Sequence, residues 1–443
     1  LPVVVGFTTA IWILALGIGF VNSLAMLTLA GMIAAVLGLR WPAIGLVGVA
    51  GLCGLDSFTR VYLMTGGLLR WNTFNYVLLI ATIYWFLLFF RASNIHLKFL
   101  ILLGVLMVAE LGFSANVRSG IQHILYFSSV FGLFVYFYRG TRRPGMWYFV
   151  AVSNGCLTGV GGFIYQLSRA GGLERFDENG LAHCFIASLV PACFAVRFIV
   201  GDQRRQTILA LLIAVNFCWV FLTGSRGGTL VGICCVLCFM YQVGSTKTTF
   251  RLVVIAAVIG GAIMMRFEDK LDRMVHRIDK MSNTEYSITK RTHGRYDLAM
   301  GAFQIFLDNP LGVGTGGYAK ARAAAGYEGG VFEYKQGQEK AAHSAWMKVL
   351  AENGLPGFLL LAAYVGSFAV VGWNQRALGL LPLGLLTTLA ISIFYLASEF
   401  QPKGGWMLAA GTMVVMHSKY AANQQFATRR ARRRGRSAPI GWG

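Results

Sequence analysis

The sequence predicts an all-α integral membrane protein: a polytopic helical bundle of about 12 (12–14) transmembrane helices with one large, partly helical external loop. Three observations predict it. Hydrophobic residues make up 56% of the 443-residue chain and Asp, Glu, Lys and Arg only 13%, about half the charged share of a soluble domain. The apolar residues come mostly in blocks of roughly 17–22, long enough to cross a bilayer. One long polar stretch, Arg266 to Ala341, interrupts them. A soluble enzyme of this size is excluded, because a single core could not hide so much apolar surface.

In order, the blocks are Val3–Val21, Ser23–Leu39, Pro42–Leu55, Phe74–Phe90, Leu97–Phe113, Ile121–Tyr138, Met146–Leu167, Leu181–Val200, Thr207–Thr223, Gly227–Val243 and Leu252–Met265. After the polar stretch come Leu355–Trp373, Leu378–Leu396 and Trp406–Met416. The third block is short, and only TGSRGG divides the ninth from the tenth, so twelve spans fit as well as fourteen. Leu1 in place of Met reads as a processed or truncated start. Val3–Val21 has no basic flank before it and reads as a span rather than a signal peptide. The chain thus divides into an N-terminal transmembrane bundle (1–265), the large loop (266–341), C-terminal transmembrane helices (342–418) and a basic tail (419–443).

Lys and Arg in short loops set orientation. The tail holds seven basic residues and no acid up to Arg436 (Lys419, Arg429, Arg430, Arg432, Arg433, Arg434, Arg436), which places it in the cytoplasm. Counting back through three spans puts Arg266–Ala341 outside; counting on puts the N-terminus inside. Arg40, Arg91, Lys98, Arg139, Arg142, Arg143, Arg204, Arg205, Lys247, Arg251 and Arg376 then fall on the cytoplasmic side. Most of the formal charge of +21 is therefore topology. A basic cluster just inside a last span is an orientation and anionic-lipid signal, and no nucleic-acid partner is expected.

The eight cysteines (Cys53, Cys156, Cys184, Cys193, Cys218, Cys234, Cys235, Cys238) all lie in predicted spans and read as small buried hydrophobes, with no zinc spacing and no disulfide framework. Gly155 and Gly159, four apart, mark close helix packing.

What remains is an outward set of cations: Arg60, Arg70, Arg118, Arg169, Arg175, Arg226, Arg266 and Lys403, with those of the large loop. Beyond Arg266 that loop holds ten of the eighteen acids and eleven basic residues, so it is densely charged and close to neutral. Leu298, Ala302 and Ile305 recur at helical spacing after Arg295 and predict an amphipathic helix. Arg291 and Arg295 share one face if that helix begins early enough. The glycine-rich run Asp308 to Tyr318 permits tight turns and close backbone approach, and fits a dinucleotide loop poorly. The loop re-enters with a helix bearing Trp346, Val349 and Leu350 on one stripe and ended by Asn353–Gly354. His343 falls in its first turn. There the helix N-terminus favours a neutral imidazole able to accept a proton; an anchoring or capping histidine is the alternative. Arg226, flanked by Ser225 and Gly227 near membrane depth, needs an anion or a wet cavity, or else snorkels. Arginine offers planar, bidentate, always-charged recognition of phosphate, so a lipid phosphate or diphosphate is the natural ligand.

Three segments, Thr223-Gly-Ser225-Arg226-Gly-Gly, Gly294-Arg295-Tyr-Asp-Leu-Ala through Asn309-Pro310-Leu-Gly-Val-Gly314, and His343-Ser344 with Leu350-Ala-Glu-Asn-Gly354, resemble the bacterial O-antigen ligase family. That superfamily also holds O-antigen polymerases and protein O-oligosaccharyltransferases. Arg175-Phe-Asp-Glu-Asn179 is similar to a further motif, with a departure from its usual Asn-Pro-Asn. The resemblance implies glycosyl transfer at the periplasmic face of the inner membrane, with both termini cytoplasmic. The donor would be O-antigen glycan on undecaprenyl diphosphate, and the acceptor a sugar hydroxyl of lipid A–core oligosaccharide. It further implies His343 as general base and Arg226, Arg295, Arg291 and Arg175 as diphosphate ligands. No cofactor and no metal are expected, and membrane lipids are the remaining partner. A transporter or flippase of a lipid-linked anion would also explain the arginines, but would call for inverted repeats, and the sequence has none.

Overall fold

The computed structural model describes residues 95–121 with positions 123, 124 and 127, 146–170, 178–196 with 199, 202–223, 225–244, positions within 250–261, 295–324 and 344–394. The predicted spans up to Phe90, most of Ile121–Tyr138, Trp406–Met416 and the basic tail lie outside these residues. Among the described residues every regular element is helical. They are α1 (Ile95–Ala109, closed by a 3-10 turn Glu110–Phe113), α2 (Met146–Ala170), α3 (Glu178–Ala195), α4 (Gln203–Thr223), α5 (Arg226–Val243), α6 (Arg295–Asp308), α7 (Tyr318–Ala324), α8 (Ala345–Asn374) and α9 (Leu381–Leu389, running on as a π turn Ala390–Phe394). Three of them, α4, α5 and α8, are long and apolar enough to cross a membrane.

Local signals set the helix ends. Asp202 accepts from Arg205 N at 3.1 Å and opens α4. Ser225 caps α5 by accepting from Gly228 N at 3.3 Å. Gly244, at φ 59°, closes α5 with its N–H on Met240 O.

Helices α2, α3 and α4 pack on one another, α5 lies against α3, α4 and α9, and α8 lies between α9 and α1. Lipid is as apolar as leucine, so close fit rather than expulsion from water holds such helices together. A Cβ added at Gly228 would sit 2.8 Å from the Ala182 methyl, and one at Gly162 2.8 Å from the Phe185 ring. The Gly155–Gly159 pair meets α4 as its spacing predicts: added Cβ atoms would lie 3.4 Å from Leu212 and 3.6 Å from Val215. Asn216 Nδ2 ties the same seam by donating to Gly155 O at 3.1 Å. Trp147, Phe239, Tyr364 and Phe368 fill the interior. Cys193, Cys218, Cys235 and Cys238 are buried thiols, as expected of small hydrophobes, whereas Cys234 is half-buried and Cys156 is exposed on α2.

Long-range contacts sort the helix termini into two ends. Gln242 Nε2 donates to Gly379 O at 3.2 Å, joining the C-terminus of α5 to the α8–α9 turn. Arg251 Nη1 reaches Thr207 Oγ1 at 3.5 Å. Arg204, Arg205, Arg251 and Arg376 therefore gather at one end. At the other, Gly228 meets Ala182 near the starts of α5 and α3, and Trp346 Nε1 donates to Ser392 O at 3.1 Å. That end holds Arg226, the first residues of α8 and everything packed on them.

Candidate functional site

The site is built on a break in α8. Gly354 adopts φ 60° and ψ −160° inside the helix, a region open essentially to glycine alone. Pro356 follows at once and supplies no N–H. The break divides α8 into a first segment, Ala345 to Asn353, and an apolar spanning segment. It also strands backbone groups that an intact helix would pair. The glycine-rich run pairs them instead. Val313 N donates to Ala351 O at 3.0 Å, Gly314 N to Glu352 O at 2.9 Å, and Leu355 N to Pro310 O at 3.1 Å.

Such backbone contact leaves no room for side chains. Gly312, Gly314 and Gly316 all have positive φ, between 82° and 89°. Added Cβ atoms would lie 2.2 Å from Glu352 O, 2.5 Å from Ser114 Cα and 2.2 Å from Gly120 N. The run is thus a clasp between α8 and the tip of α1, and not an open cradle for phosphate. Close backbone approach is what its sequence predicts.

A polar cluster lies beneath the clasp. Glu110, buried at the end of α1, accepts from Thr315 Oγ1 at 3.2 Å and from Asn353 Nδ2. Asn353 Nδ2 also reaches Thr315 Oγ1 at 2.9 Å. Ser114 Oγ donates to Thr315 O at 2.8 Å, and Tyr318 N donates to Glu352 Oε1 at 3.3 Å. All of Glu110, Thr315, Glu352 and Asn353 are buried. One turn nearer the start of α8, the buried Lys348 places Nζ 2.9 Å from His123 Nε2. Arg322 of α7 is buried against Gly301 of α6. Among the described residues no three His, Cys, Asp or Glu side chains gather as metal ligands.

The residues expected from sequence stand as follows. Arg226 is the first residue of α5, directly after its cap, with an exposed side chain at the same end as the cluster. The glycines after it serve the α5–α3 contact through Gly228. Arg295 is the first residue of α6, whose Ala302 and Ile305 are buried against α8 as their spacing predicts. Arg291, Arg175 and His343 lie outside the described residues. Ser344 caps α8, accepting from Met347 N at 3.4 Å. The helix therefore starts at Ala345, and position 343 precedes the cap where a place in the first turn is expected.

Sequence reading gives no part to Glu110, His123, Lys348 or Arg322. For Glu110 a signal existed, since an acid inside an apolar span block is costly unless it is matched. For the His123–Lys348 and Asn353–Thr315 pairs, nothing local marks residues that meet across long stretches of chain.

No curated protein matches this chain. Residues 208–362 match the family model described as O-antigen ligase. The matched stretch runs from α4 into the spanning segment of α8 and takes in Arg226, Arg295, the clasp, position 343 and the break. Over residues 208–362 this membrane protein is similar to the O-antigen ligase family.

Proposed function

We propose that the protein is an O-antigen ligase, transferring glycan from undecaprenyl diphosphate to a sugar hydroxyl of lipid A–core oligosaccharide at the periplasmic face of the inner membrane. The family match over residues 208–362 carries this reading. The geometry supports it: Arg226, the start of α6 and the capped start of α8 belong to elements whose packing converges on one end of the bundle. Basic residues Arg204, Arg205, Arg251 and Arg376 gather at the opposite end, as cytoplasmic loops should.

In this scheme the acceptor hydroxyl oxygen attacks the anomeric carbon and the bond to the diphosphate oxygen breaks. His343 takes the hydroxyl proton as general base. The electron pair leaves with undecaprenyl diphosphate, whose developing charge Arg226, Arg295, Arg291 and Arg175 stabilise in place of a metal ion. Direct attack inverts the anomeric centre.

The test uses the protein in detergent with undecaprenyl-diphosphate glycan, a chelator, and either lipid A–core, a second donor glycan or an acceptor protein. Transfer to lipid A–core with the chelator present is the expected result. Transfer only to glycan or to protein would make the chain a polymerase or an oligosaccharyltransferase, and no new covalent bond at all would favour a transporter. His343→Ala is expected to abolish transfer while donor binding persists; full activity in that variant would remove the mechanism. Arg226→Ala is expected to weaken donor binding or turnover without unfolding.

A further inference from the structure

Helix α6 has two apolar faces where a loop helix needs one. Ala302 and Ile305 are buried against Ala351 and Tyr318. Roughly opposite them, Tyr296, Met300, Phe303 and Leu307 follow one another at spacings of four, three and four residues, all between 39% and 51% exposed. At about 100° per residue these four side chains fall within an arc of about 60°. Single exposed apolar residues are ordinary, but a continuous stripe of large ones marks a contact surface. Gln304 and Asp308 lie exposed along its flank.

The stripe does not stop at the end of α6. Leu311, 73% exposed, continues it beyond Asp308. The bond from Leu355 N to Pro310 O at 3.1 Å holds Leu311 beside Leu355. Leu355 opens the spanning segment of α8, and Leu355 and Leu359 are themselves exposed, as lipid-facing residues of a membrane helix must be. Exposed apolar residues thus extend from the lipid face of a span, through Leu355 and Leu311, to a helix that sequence assigns to a polar loop.

We propose that the outer face of α6 is an interfacial anchor, lying in the headgroup–acyl boundary of the bilayer with phospholipid as its occupant. Aromatic residues at such a boundary are what Tyr296 and Phe303 supply. This placement is independent of the transfer reaction.

Photo-crosslinking in native membranes tests it. Met300, Phe303 and Leu307 are each replaced by p-benzoylphenylalanine (Met300→p-benzoylphenylalanine and likewise), with the exposed polar positions Asp308 and Lys320 as controls. All five sites are on the surface, so the large side chain is accommodated. Mass spectrometry of tryptic peptides is expected to show phospholipid adducts at the three stripe positions, at least several-fold more than at the controls. Equal adducts at the controls would overturn the proposal. So would the absence of lipid adducts, or adducts chiefly to undecaprenyl diphosphate, to lipopolysaccharide or to this chain's own loop.

Discussion

Glu110 sits at the end of an apolar helix with Thr315 and Asn353 as donors, and its loss affects three elements at once. Truncation to Ala would remove the acceptor of the buried Thr315 hydroxyl and leave Asn353 Nδ2 only its bond to Thr315 Oγ1, at about 1–3 kcal/mol for a stranded group. Glu110→Ala is expected to lower the thermal midpoint in detergent, and Glu110→Gln, which keeps one acceptor oxygen, to lower it less. Equal losses in the two variants would mean that the carboxylate's charge matters more than its acceptor geometry. The sequence shows an acid in an apolar block but not its partners. Thr315 and Asn353 lie 205 and 243 residues further along, and hydrogen bonds over such separations leave no local pattern.

At the scale of elements, the broken helix and the glycine clasp are one construction. Gly354→Ala would force a side chain into a glycine-only conformation, about 1–3 kcal/mol by itself, and would bring a Cβ within 2.4 Å of Pro310 O. It is expected to lower the thermal midpoint and to open residues 310–317 to protease. Gly366→Ala is the control on the same helix: it meets nothing within 4 Å and should change neither measurement. Much at this scale is legible in the sequence. Apolar blocks end at Gly, Ser and Pro signals, so Met146–Leu167, Thr207–Thr223 and Gly227–Val243 fall within a few residues of α2, α4 and α5. The stop at Asn353–Gly354 is legible too, because glycine after a helical stripe is a termination signal. The continuation of α8 past Gly354 is not, because it depends on backbone donors lent by residues about forty positions upstream. Nor is the exposed face of α6, since a stripe of Tyr, Met, Phe and Leu reads as core until packing shows which side is filled.

Across the whole molecule, the two ends make a prediction about sidedness. Lys320 and Arg376 are both exposed, on α7 and on the α8–α9 turn. In cells, Lys320→Cys is expected to react with a membrane-impermeant maleimide from outside, and Arg376→Cys only after permeabilisation. Labelling of both from one side would break the two-ended arrangement. The bundle's order of synthesis gives Glu110 another consequence. Its carboxylate reaches the bilayer surface long before Thr315 and Asn353 have been made, and must wait there solvated by water and headgroups. The α1 tip can be sealed only after the ribosome has passed the break in α8, so this junction is among the last parts of the described bundle to mature.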